Sequence, residues 1–304
     1  MTNNRKMIGH IYMAAFLIYL LVPLLVMSGA AFNASKLPTI IPWKGWTDQW
    51  FIDLYNDKRI WIAFRNTILV AIAVVVIAVP VGAAGAILVN SISGRVRAVL
   101  YGMMVAPILV PGVVIGISTL LFWNQFSIGS GLHLSVLGQV SYIASFVMLL
   151  VLARLQSFDQ GLEEAALDLG ASHGQVMRRI LLPHLYPALG AGAAISFFQS
   201  IENFNVTLFT RGGADTLTVY VFSKVRSGIT PTINALALIM ILFTLAAAIW
   251  YEVNRRRKAR IEAAREAEGR RAEGHCVAIG LRARGPHRAA VQRGGPRRVG
   301  GQRR

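Results

Sequence analysis

Acidic side chains are scarce enough in this sequence to be read one at a time. Glu202 stands alone in an otherwise apolar run, while Glu163, Glu164 and Asp168 cluster in a more polar segment upstream. A lone carboxylate among apolar neighbours is costly unless it is paired or wetted. It can draw a cation into a low-dielectric place or hold a partner chain through an ion pair or hydrogen bond. Neither role breaks a covalent bond. The sequence has no Gly-Lys dipeptide, hence no phosphate-cradling Walker loop, and no His-Glu-x-x-His. Its single cysteine, Cys276, excludes an internal disulfide and a cysteine-rich zinc site. No catalytic residue, no metal and no cofactor of its own is expected, so the chain reads as no enzyme. Any energy it uses must come from a partner.

The elements that would position Glu202 follow from where charge is missing. Of 304 residues, 55% are apolar and 15% charged, well below the roughly one quarter usual for soluble domains. Five stretches carry no Asp, Glu, Lys or Arg: residues 11–35, 66–94, 98–153, 180–201 and 227–251. A spanning helix needs about 20 such residues, so the longest stretch suits two crossings and each of the others one. Turn-forming residues between Asn124 and Gly131 divide the long one. The expectation is an all-α, polytopic membrane protein with six transmembrane helices, near residues 11–32, 67–89, 99–123, 136–155, 188–209 and 233–251. The first outruns a signal-peptide core and reads as a retained anchor. Pro107 and Pro111 lie four residues apart in the third span and predict a bend or a loosened segment there.

Basic residues orient these spans. Arg5 and Lys6, Arg95 and Arg97, Arg154 with Arg178 and Arg179, and Arg255 to Lys258 occupy alternate connections, which places both termini in the cytoplasm. Residues 33–65, on the outer side, fit less well, with Lys36, Lys44, Lys58, Arg59 and Arg65 partly offset by three aspartates. That segment also carries Trp43, Trp46, Trp50, Phe51, Tyr55, Trp61 and Phe64, which suits either an interfacial belt or a docking surface for an extracytoplasmic protein.

The net charge of +17 is mostly a property of the end of the chain. Residues 1–254 hold 15 basic and 10 acidic side chains, whereas residues 255–304 hold 16 and 4. No nucleic-acid partner is implied for the folded part. The division expected is a cytoplasmic N-terminus at 1–10, a six-span domain at 11–254 and a basic cytoplasmic tail at 255–304. Its first part reads as a charged helix continuing the last span to about Glu273, and residues 275–304 are too polar to build a core and are expected to be disordered.

Between the fourth and fifth spans, Leu162, Ala165, Ala166 and Leu169 share one helical face, and Gly170 follows where a helix would end in a left-handed residue. Ser172 and Gln175 then have the spacing of a capping box for a second helix, which Pro183 and Pro187 are expected to interrupt or end. The result is a compact knob of helix, glycine turn and helix. By itself it could also be a hairpin lying on lipid.

Here the residues carry a resemblance. Glu164-Ala165-Ala166, Asp168-Leu169-Gly170-Ala171 and Ile180-x-Leu182-Pro183 resemble the EAA loop of permease subunits of binding-protein-dependent ABC importers. The resemblance implies the type I importer permease fold. It also implies that Glu163, Glu164, Ala165, Ala166, Asp168, Leu169, Gly170, Ala171, Ile180, Leu182 and Pro183 dock into a separate ATPase, which binds ATP and Mg. Residues 198–209, with Ser200, Glu202, Asn203 and Phe204, and the following Gly212, Thr216-Leu217-Thr218, Tyr220 and Ile229-Thr230-Pro231, resemble the second permease of spermidine/putrescine importers. Thr218 stands where that group usually has proline, and Asn203 where it often has a second acid.

The resemblance implies a small solute, a polyamine above all, crossing a bacterial inner membrane past Ser200, Glu202, Asn203 and Phe204. The partners implied are a second permease, two ATP-binding subunits, surrounding lipid and an extracytoplasmic binding protein docking near Trp46, Trp50 and Phe51. Importers of phosphonate, opine or amino-acid-like solutes share the subfamily and stay open as alternatives. From other classes, a non-transporting membrane anchor also stays open, whereas a self-sufficient carrier would need an internal repeat that the sequence lacks.

Overall fold

The computed structural model describes residues 2–228 and 230–283. The described residues are mostly helical, and the sole extended pairing among them is an isolated bridge between Asn33 and Trp46. In order the helices are α1 (Thr2–Ala30), α2 (Gln49–Asn56), α3 (Lys58–Ser91), α4 (Gly94–Leu109), α5 (Gly112–Asn124), α6 (Leu132–Leu155) and α7 (Gln160–Asp168). They continue with α8 (His173–Val176), a π turn (Met177–Leu181), α9 (Leu182–Ile201), α10 (Asn205–Thr210), α11 (Leu217–Ser227) and α12 (Thr232–Ala283). Residues 1–238 form one compact unit and residues 239–304 a second.

Five helical runs are long and apolar enough to cross a membrane: Met7–Ala30, Lys58–Ser91, Leu132–Leu155, His173–Ile201 and Thr232–Arg257. The remaining expected crossing, the third, is a broken pair, Gly94–Leu109 and Gly112–Asn124, bent by 105°. The bend falls between the two prolines. Pro107 lies in the last turn of α4, and Val110 and Pro111 are both extended. Proline pushes its predecessor out of the helical region, and valine, branched at Cβ, is already reluctant there.

Three expected boundaries are corrected. The second span begins at Lys58 rather than near residue 67, because Asp57 caps the helix by accepting a hydrogen bond from the Arg59 amide at 2.9 Å. The fifth does not run from 188 to 209; it stops at Ile201 and restarts as α10. Pro183 and Pro187, expected to interrupt or end the second helix of the knob, do not end it; the α pattern gives way to a π turn ahead of Pro183 and resumes at Leu182. The π turn ahead of Pro183, with Leu182 N donating to Met177 O, widens the helix where the proline ring would otherwise strike the preceding turn. Helix continues from His173 to Ile201. The helix read as ending near Glu273 runs to Ala283, through the first nine residues expected to be disordered. The rest of that expectation, residues 284–304, lies outside the described residues.

The first unit is centred on α3, α6 and α9. Ala86, Val89, Val147, Met148, Val151, Leu152, Leu155 and Leu185 form one buried cluster, and Val70, Val74, Ala78, Val136, Ile143 and Ala144 another. In lipid there is little hydrophobic drive between helices, so small residues that let backbones approach carry the packing. Gly82 is such a point. A Cβ there would stand 2.5 Å from the Ala144 carbonyl oxygen and 2.7 Å from Val147. By contrast, residues 7–26 of α1 are exposed on every side.

Candidate functional site

Two constructions stand out, one at each end of the run His173–Ile201. The first is the knob. Asp159 caps α7 by accepting from the Gly161 amide at 2.9 Å. The helix then ends in a Schellman motif: Gly170 N donates to Leu167 O and Ala171 N to Ala166 O, at 2.9 and 3.0 Å. Gly170 holds φ +85°, the left-handed conformation that turn requires. Space around it is open, so a side chain there would be opposed by backbone conformation and not by a clash. Ser172 and Gln175 form the capping box in both directions.

Gly170-Ala171-Ser172-His173-Gly174 spells the letters of a serine-hydrolase elbow, yet helix and not strand precedes it and the Ser172 hydroxyl is engaged in the cap. The knob is tied to its base where Arg154 Nε donates to His184 O at 3.1 Å and the His184 ring packs edge-on against Phe158. Leu162, Ala165 and Leu169, the expected apolar face of α7, are exposed, Leu169 by 90%. Glu164, Ala165, Asp168, Gly170 and Pro183 are exposed too, while Glu163, Ala166, Ala171, Ile180 and Leu182 are partly covered.

The second construction is a cavity of about 480 Å³ between the two interrupted spans. Pro107, Val110 and Gly112 line it from the α4–α5 bend, Tyr142 and Phe146 from α6, and Gln199, Glu202, Asn203, Phe204 and Asn205 from the α9–α10 break. Glu202 is the C-cap residue of α9 and exposed to this space, at a helix end and not within a continuous span. Asn203 donates to the Tyr142 hydroxyl at 2.5 Å, and its Oδ1 accepts from the Val206 amide at 3.2 Å, which starts α10. Phe204 packs on Phe222 of α11, ring centroids 4.8 Å apart. Of the four residues marked from sequence, Glu202, Asn203 and Phe204 meet at the cavity. Ser200 is buried behind it, donating to Gln139 Oε1 at 2.5 Å.

Gln139, Tyr142, Gln199 and Asn205 do not stand out from the sequence, because none of them puts a charge into an apolar run. A glutamine within the uncharged stretch at 98–153 was the available signal.

The segment at 33–65 folds as a cap over the start of α3. Trp46 stacks on Phe32 at 4.5 Å, Phe51 lies 5.2 Å from the same ring, and Trp50 Nε1 donates to Asn33 O at 2.9 Å. Asn33 itself is buried, donating to Thr39 O and Pro42 O and accepting from Lys44 N. Trp46 remains largely exposed, whereas Trp50 and Phe51 face inward to a cluster with Ala31, Leu54 and Tyr220.

Nearby, Asp57 accepts from the Tyr220 hydroxyl at 2.5 Å and pairs with Lys224 at 3.1 Å. Partial burial alone would raise the Asp57 carboxyl, but the hydrogen bonds from Tyr220, Lys224 and the Arg59 amide outweigh it and hold the group below its ordinary value. The Tyr220 phenol is pushed up, by burial first and then by the Asp57 carboxylate. Asp215 in turn pairs with Arg59 at 3.3 Å and with Arg211, and its carbonyl accepts from Asn66 Nδ2 at 2.9 Å. Among the described residues no group of His, Cys, Asp or Glu could hold a metal ion.

A family described as "binding-protein-dependent transport system inner membrane component" matches residues 78–260, which include both constructions. The chain belongs to this family. It is therefore an inner-membrane transport permease that works with a solute-binding protein. The chain is 30% identical over 239 residues to the spermidine/putrescine transport system permease protein PotC of Escherichia coli K12, covering 78% of this chain and 90% of that one. It is 32% identical over 254 residues to the putrescine transport system permease protein PotI of the same strain, covering 80% and 89%. Among solved structures, a bacterial ABC transporter involved in import of the acidic polysaccharide alginate superposes with TM-score 0.65 at 16% identity, over 82% of this chain and 94% of that one. That likeness is one of fold.

Proposed function

We propose that this permease forms one half of the pathway of an ATP-driven importer for small polyamines. A second, similar permease completes the pathway, two ATP-binding subunits grip the knob from the cytoplasm, and an extracytoplasmic binding protein delivers the solute on the side of Trp46, Trp50 and Phe51. Both chain termini then face the cytoplasm. The observation that carries the reading is the lining of the cavity at the two helix breaks, taken with relatives named for spermidine and putrescine. Glu202 offers a carboxylate for an ammonium group, Gln199 and Asn205 offer amide acceptors, and Tyr142, Phe146 and Phe204 offer aromatic faces suited to methylenes and cations. An anionic solute such as a phosphonate would meet repulsion from Glu202 unless the other permease supplied the opposite charge.

ATP and Mg would stay on the partner. The exposed leucines of α7 and the stiff turns behind them suit a handle pressed into a groove, because a rigid piece carries displacement without absorbing it. The test is uptake of putrescine and spermidine by the complete complex in proteoliposomes supplied with binding protein and ATP. Glu202→Gln should raise KM about tenfold, the loss of about 1.4 kcal/mol of charge-assisted binding. Absence of polyamine uptake by the wild-type complex would overturn the reading.

A further inference from the structure

Behind the cavity lies a chain of polar side chains that the transport reading leaves without a role. Gln139 sits in the first half of α6, fully buried, where an amide is costly unless it is hydrogen-bonded. It bonds to two different pieces of chain. Its Oε1 accepts from the Ser200 hydroxyl at 2.5 Å, before the α9–α10 break, and its Nε2 donates to the Thr207 hydroxyl at 2.9 Å, after it. Ser200 and Thr207 are buried as well. The Thr207 hydroxyl reaches on to Asn203 Oδ1 at 3.4 Å, and Asn203 Nδ2 donates to the Tyr142 hydroxyl at 2.5 Å, which returns the chain to α6 one helical turn from Gln139. Gln139 thus bridges the two sides of the interruption that carries Glu202 and Asn203.

A helix break frees backbone groups and removes the ladder that would otherwise fix the flanking segments. Residues 202–204 would be a loose hinge if nothing outside the backbone held its ends. A single side chain that bonds both ends to one rigid helix removes that freedom. We propose that Gln139 is the positioning residue of the solute site: a splint across the α9–α10 break that holds Glu202, Asn203 and Tyr142 in one arrangement. The proposal rests on the cavity being the solute site only for its effect on transport; its geometric content stands apart from the solute.

Both parts can be measured on the assembled complex. Gln139→Met keeps the volume and removes both bonds. Uptake should show KM raised fivefold or more with kcat within about twofold, and adding Ser200→Ala should cost nothing further, since its partner is already gone. Ser200→Ala and Thr207→Val, each removing one bond, should shift KM in the same direction by less, and they serve if Gln139→Met does not assemble. An unchanged KM, or losses that add in the double variant, overturns the proposal. Independently of any solute, spin labels at Phe146→Cys and Asn205→Cys in a Cys276→Ser background report the distance from α6 to α10. A narrow distribution that broadens in Gln139→Met supports the splint, and one that stays narrow removes it. If the wild-type complex takes up no polyamine, the functional reading falls while this distance measurement still decides the splint.

Discussion

Pro107 and Pro111 have the same spacing as Pro183 and Pro187, and the two pairs have opposite effects. The first pair accompanies a bend of 105° that splits a span into α4 and α5; the second lies within helix that continues from His173 to Ile201. What differs is the residue ahead of the decisive proline and the room given to it. Val110 is extended before Pro111, with φ −84° and ψ 129°, whereas Leu182 stays helical before Pro183, with φ −60° and ψ −44°. Leucine, which is not branched at Cβ, tolerates that position better than valine, and the π turn moves the offending carbonyl aside. Proline marks where a helix can break, and its neighbours decide whether it does. In this chain the pair that breaks opens a wall of the cavity, and the pair that does not keeps the knob continuous with the span.

The comparison can be attacked at both ends. Replacing Pro107 and Pro111 together by alanine removes two obstacles, each worth about 3 kcal/mol against a continuous helix. Their sum exceeds what is needed to invert a two-state balance. Uptake should fall more than tenfold in a complex that still assembles, and retained uptake would show that the bend is not needed. Gly170→Val forces a branched side chain into a left-handed turn at a cost of about 1–2 kcal/mol or more. Substrate-stimulated ATP hydrolysis should fall about tenfold with expression intact; equal ATPase and transport in wild type and variant would remove this elbow from the mechanism.

Leu182→Val gives the tolerated pair the neighbour of the broken one. A loss of about 0.5 kcal/mol in helix stability is expected, seen as a lower thermal midpoint of the complex and an uptake rate down by no more than a few fold. The smallest effect should come from Asp57→Asn, away from both pairs. Because the native carboxyl lies below its unfolded value, its contribution is complete above about pH 4 and is lost as pH falls through the lowered value. The wild-type thermal midpoint should show that acid limb and the variant should lack it. Matching profiles would mean that Lys224 and Tyr220 gain nothing from the charge.

Much of this was legible beforehand, for reasons that differ by region. The spans stood out because charge is excluded from lipid, and the knob because its cap, glycine and second cap are local patterns of three to four residues. Both hold in the structure as hydrogen bonds between near neighbours in sequence, such as Ser172 with Gln175. The α9–α10 break was not legible. No proline or glycine lies between Ser196 and Arg211 to announce it, and what stabilises it is Gln139, some sixty residues away in the chain. Asp57 with Tyr220, and Asn66 with Asp215, escaped notice for the same reason, since each joins residues about 150 positions or more apart.

The helical run from His173 through the π turn to Ile201 has a mechanical corollary. Its 29 residues at 1.5 Å each make an arm about 43 Å long, with the knob at one tip and Glu202 just past the other. Tilting such an arm by about 10° around its middle swings either tip by about 4 Å, more than the width of a water molecule. A modest push at one membrane face would then be felt as a change of aperture at the other end, with no relay of side chains required in between.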